Sequence, residues 1–74
     1  MSNYGSPAII VTDPRNGKHF RISANGVLHV VPRTDGTIIN IRGVGRVYAA
    51  ESADEVNAGL EAARAKEGCV PIYS

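Results

Sequence analysis

A single cysteine, Cys69, rules out an internal disulfide, and neither histidine, His19 or His29, stands at zinc-ligand spacing from it. The usual staples of a small protein are therefore missing. Long apolar runs are missing too: the longest, such as residues 8–11, fall far short of the roughly 20 residues that cross a bilayer. No membrane insertion is expected, and with no signal-type apolar segment the expected location is cytoplasmic. Gly43-Val44-Gly45 lacks the third glycine and the following helix of a dinucleotide loop, and there is no Walker lysine pattern, so no cofactor is expected.

What is present must fold by packing, aided by self-association. Seventy-four residues make one domain near the lower limit for a core without staples. Hydrophobic residues are 43% and charged residues 20%, a balance that a disordered chain would not have. The net charge of +1 hides a division. Residues 1–50 carry six Lys and Arg against two Asp, whereas residues 51–74 carry five acids against Arg64 and Lys66. Such a split can orient an anionic partner over the basic half or bring copies together head to tail. It is also what solvated hairpins and a solvated helix face would show.

Turn chemistry divides the first fifty residues. Residues 1–7 have no periodicity and are expected to be a flexible leader. Residues 8–12 are β-branched and apolar on both faces, which suits a strand covered by a helix or buried in a small barrel. Asp13-Pro14-Arg15-Asn16-Gly17 reverses the chain into a hairpin. Residues 18–22 alternate, with Phe20 and Ile22 on one face and His19 and Arg21 on the other; Phe20, the only phenylalanine, is expected to anchor the core. Ser23-Ala24-Asn25-Gly26 turns the chain again, and Pro32 is expected to end a third strand over residues 27–31. After Asp35-Gly36, a fourth strand places Ile39 and Ile41 opposite Asn40 and Arg42, and a fifth covers residues 46–50.

At Ser52 the period changes from two to about 3.6. Ser52 and Glu55 have capping-box spacing, and Val56, Leu60 and Ala63 form one apolar face. Gly59 weakens a helix by about 1 kcal/mol relative to alanine, so its presence suggests close approach of the backbone to a sheet. Gly68 suits a left-handed helix end. The apolar tail, residues 69–74, contains Pro71 and could add an edge strand, cover an open side, or insert into a neighbouring subunit. The expected fold is α+β: a five-stranded antiparallel meander or partly open small barrel over residues 8–68, followed within that span by one C-terminal helix.

Several of these segments, I-I-V-T (9–12), N-G-K-x-F-x-I (16–22), V-x-x-V (27–30), D-G-T-I-I-x-I (35–41) and E-S-x-x-E-V (51–56), also form a pattern. Over about fifty residues the chain resembles the small flagellar FlbD/SwrD-like proteins. That resemblance implies a non-enzymatic accessory protein that works by binding and is associated with flagellar motor function. The leader, the Gly43-Val44-Gly45 connection and the apolar tail depart from it. Proteins of this size are also common among phage accessory genes, where they often sequester host factors.

No set of residues assembles a reaction. No catalytic set around His19 or His29 is recognisable in the sequence, Asp13 and Asp35 belong to turns, and Ser52 is explained by capping. Cys69 is expected to be a small buried thiol. An enzyme is therefore not expected. The candidate binding surface is His19, Arg21, Asn40, Arg42, Arg46 and Tyr48, which strand alternation could place on outward faces. Its guanidinium groups suit phosphate or carboxylate and Tyr48 could stack on a base, so a nucleotide, a single-stranded nucleic acid or an acidic protein would fit.

Overall fold

A computed structural model describes residues 7–66 and 68–72. The strands are β1 (Ala8–Thr12), β2 (His19–Ser23), β3 (Val27–Arg33), β4 (Gly36–Ile41) and β5 (Gly45–Ala49), followed by the helix α1 (Ala53–Lys66) and a short β6 (Cys69–Pro71). Most of the expected leader, residues 1–6, and the last two tail residues lie outside the described residues. The fold is α+β, as expected. Among the described residues, however, six strands form two three-stranded sheets, ordered β2-β1-β6 and β3-β4-β5, and these do not close into a barrel.

The expected meander divides after β2. β1 and β2 form the hairpin that the Asp13 to Gly17 turn specifies: Gly17 takes φ +73°, its N–H donates to the Asp13 carbonyl at 2.8 Å, and the Asp13 N–H closes the loop on the Lys18 carbonyl at 2.7 Å. The next turn does not make a hairpin. Ala24–Gly26 winds into a 3₁₀ turn that passes the chain to the second sheet. Bonds to both sheets hold it there, since the Ala24 N–H donates to the Pro7 carbonyl at 2.9 Å and the Arg42 N–H to the Gly26 carbonyl at 2.8 Å.

The second sheet is the antiparallel meander proper. β3 runs past Pro32 to Arg33, correcting the expected stop. Proline is tolerated because β3 is an edge strand and its ring replaces an N–H that would point away from β4. A bulge between Val27 and His29 leaves Leu28 exposed. Gly36 opens β4 at φ +151°, and any Cβ there would run into the Ala49 carbonyl oxygen.

The capping box forms as its spacing predicts. Ser52 Oγ accepts the Glu55 N–H at 3.2 Å, and Glu55 Oε1 accepts the Ser52 N–H at 3.0 Å. At the other end the Gly68 N–H donates to the Ala63 carbonyl at 3.2 Å, but Gly68 does not take a positive φ, which corrects the expectation that it is the left-handed terminator. α1 packs on β1, β3 and β6. Its Val56, Leu60 and Ala63 join Ile9, Val11, Ile22 and Ile39 in the core. A Cβ on Gly59 would collide with Ile72 and stand 3.4 Å from Ile9, so the helix backbone does lie directly on the sheet.

The described part of the tail takes the first of its three expected roles. β6 adds to β1 as a parallel edge strand, and the Ile72 N–H extends the ladder to the Ile10 carbonyl at 3.1 Å. Val70 and Ile72 turn inward. Alternation then turns Cys69 outward, and the thiol is exposed, which corrects the expectation of a buried one.

Candidate functional site

The helix covers one side of the two sheets and leaves another open. Among the described residues, β2 and β5 each pair with a single neighbour, β1 and β4, and residues of both line two adjoining cavities. The first, of 470 Å³, is bounded by Asp13, Arg15, Lys18, His19, Arg46 and Tyr48. The second, of 440 Å³, is bounded by Arg21, Ile22, Ile41, Arg42 and Val44 among others. Phe20 and Val47 line both, so the two form one groove with an apolar floor. Phe20 thus has two roles, packing against the core from below and flooring the groove above.

Five of the six expected surface residues border this groove. His19, Arg46 and Tyr48 stand at one end, and Arg21 and Arg42 at the other. Asn40 does not line it. It lies opposite Arg46 in the strand register, on the outer face of the second sheet, with His29 on its other side. The next row on that face is Val31, Ile38 and Tyr48. Val31 and Tyr48 cover Ile38, which is 7% exposed while they remain 42% and 45% exposed. The six residues therefore do not share one flat sheet face. His19 and Arg21 belong to the other sheet, and what brings them near Arg46 and Arg42 is the groove.

Arg15 and Lys18 complete the basic rim: Arg15 sits in the β1–β2 turn, where alternation does not apply, and Lys18 stands just before β2, although alternation over residues 18–22 would have put it on the Phe20 face. Among the described residues, the one carboxylate on the first cavity belongs to Asp13. Its Oδ1 accepts the Arg15 N–H at 2.8 Å and lies 3.5 Å from Arg15 Nε. The backbone bond from Arg15 holds the Asp13 carboxyl below its ordinary value, with smaller help from the Arg15 side chain. This acid is thus engaged by the turn and leaves the rim cationic.

Among the described residues, no group of three or more His, Cys, Asp or Glu side chains is placed to hold a metal ion. None of the described helices is long and apolar enough to cross a membrane. No family model, curated protein or solved structure matches this chain. What the site can do must be judged from its own chemistry: a basic rim selects anionic groups, and an apolar floor selects aliphatic or aromatic ones.

Proposed function

We propose that this chain is a small non-enzymatic accessory protein that acts through protein contacts at the β2–β5 groove and works as a homo-oligomer. The observation that supports this reading most is the groove itself, where Arg15, Lys18, Arg21, Arg42 and Arg46 surround an apolar floor and the one carboxylate among the described lining residues is engaged by Arg15. A row of exposed Val31 and Tyr48 over Ile38 offers a surface for self-association. The resemblance to FlbD/SwrD-like proteins adds a motor-associated role to the same reading, since its matching segments supply the β1–β2 turn and the helix start.

The test is substitution of Arg42 and Arg46 by alanine. Both are exposed, so the fold should persist while binding to partner proteins weakens and loses its salt dependence. If both substitutions leave every association unchanged, the groove is not the working surface. Light scattering that shows a monomer across micromolar concentrations removes the oligomer from the proposal.

A second reading is favoured by the same arginines. Arg21 and Arg42 at one cavity and Arg46 at the other could hold a phosphate-containing ligand, a nucleotide or single-stranded RNA, as a phage-type sequestering protein would. Native mass spectrometry separates the two readings. A nucleotide retained by the purified protein supports this second one.

A further inference from the structure

We infer that the β2–β5 groove receives an extended peptide of alternating apolar and acidic residues, added as a strand to the free edge of β5. This inference rests on the protein-contact reading above and names the partner's chemistry. The edge can be assigned from the hydrogen-bond phase. Ile41 stands opposite Gly45 at the β4–β5 turn, where the Val44 N–H also donates to the Ile41 carbonyl at 3.1 Å. That phase directs the backbone groups of Val47 and Ala49 to β4 and those of Arg46, Tyr48 and Ala50 away from it. The Ala50 N–H confirms the phase, because it donates to the Thr12 carbonyl of the other sheet at 2.8 Å. Arg46 and Tyr48 are left presenting backbone donors and acceptors along an edge that pairs with no strand among the described residues.

A strand laid along that edge would have its residues alternate between two surroundings. A residue opposite Val47 would point its side chain to the floor, toward Phe20. Residues opposite Arg46 or Tyr48 would point outward, where cross-strand neighbours stand about 5 Å apart and a carboxylate would meet the Arg46 guanidinium. Arg21 and Arg42 bring further positive charge to the far end of the groove. A second copy fits the site less well, because it would add its own Arg46 to a rim that already carries Arg15, Lys18, Arg21, Arg42 and Arg46. Nucleic acid fits less well, since the floor of Phe20, Ile22, Ile41 and Val47 is mostly aliphatic and, even with Tyr48 at one end, the described lining offers few aromatic faces for successive bases.

The experiment is a titration of the full-length, nitrogen-15-labelled chain with an end-blocked peptide of about seven residues, a typical strand length, alternating valine and glutamate. The matched valine–lysine peptide and a short oligouridylate serve as competing probes. The expected result is binding of the glutamate peptide alone, with slowed hydrogen exchange at the Arg46 and Tyr48 amides. Arg46→Glu should weaken that binding by about tenfold or more, while Arg46→Lys keeps most of it. Circular dichroism of both variants verifies that they fold. The proposal is overturned by an absence of binding at about 1 mM peptide, by binding without protection of those two amides, or by equal binding of the lysine peptide or the oligouridylate. If the peptide fails while associations still depend on Arg42 and Arg46, only strand addition is lost. If that dependence is absent as well, the wider reading fails with it.

Discussion

The Glu51 carboxylate grips Thr12 with both oxygens: Oε1 accepts the Thr12 backbone N–H at 2.9 Å, and Oε2 accepts its hydroxyl at 2.7 Å. The Glu51 carbonyl in turn accepts the Thr37 hydroxyl at 2.7 Å. One residue thereby ties β1, β4 and the entry to the helix. It is 8% exposed, so its bonds are largely shielded from water.

Glu51→Ala should therefore cost about 2–4 kcal/mol, because it strands two Thr12 donors where water reaches them poorly. Glu51→Gln keeps one acceptor and should cost less. Urea denaturation measures both. A loss under about 0.5 kcal/mol for Glu51→Ala, the range of ordinary surface changes, would show that the junction does not depend on this residue.

Gly59→Ala ought to stabilise a solvated helix by about 1 kcal/mol. Here it should destabilise by about 1–3 kcal/mol, because the new methyl meets Ile72 and Ile9. Adding Ile72→Ala makes room, so the double variant should lose less than the sum of the two single losses. Simple additivity in thermal melts would contradict the close approach.

Ser52→Ala should cost about 1 kcal/mol, the usual worth of a helix N-cap. Loss of the hydroxyl leaves the Glu55 N–H without its acceptor. Helical circular dichroism followed through urea unfolding gives the value, and Ser52→Asp, which can still cap, should restore most of it.

The Asp13 carboxyl lies below its ordinary value of 3.8 in the folded chain, chiefly through the Arg15 N–H. A depressed folded value means that its contribution is complete above the unfolded value and disappears as pH falls through the folded one. Asp13→Asn should accordingly flatten the stability profile below about pH 4 and leave its shape near neutrality unchanged. An acid limb identical to that of the parent would mean that the turn does not sense this proton.

Cys69 should react with a disulfide reagent in the native protein, without prior unfolding, because β6 turns it outward. Cys69→Ser should change stability by less than about 0.5 kcal/mol. A thiol that reacts only in denaturant would contradict the outward register of β6.

Local chemistry made much of the fold legible. The Asp13 to Gly17 reversal, the β4–β5 hairpin, the Ser52–Glu55 box and the Val56, Leu60 and Ala63 face all follow from contacts between residues a few positions apart. The groove was legible only in part: five of the six candidate residues border it, Asn40 does not, and Arg15 and Lys18 lie outside the candidate set. Alternation identified Arg21, Arg42, Arg46 and Tyr48 as outward-facing, but period two within a strand says nothing about which strands are neighbours.

The sequence by itself determined where the first hairpin turns, where the helix begins and which helix face is apolar, because those depend on backbone preference, short-range hydrogen bonds and the 3.6-residue period. Tertiary structure alone decided that Ala24–Gly26 crosses between sheets, that residues 69–71 pair with β1 in parallel, that Cys69 faces outward, and that β2 and β5 enclose a groove. Each of these depends on partners distant in the chain, such as Pro7 with Ala24, Gly26 with Arg42, Ile10 with Ile72 and Thr12 with Glu51. Such pairings are selected by the free energy of the whole packed core, and no local pattern encodes them.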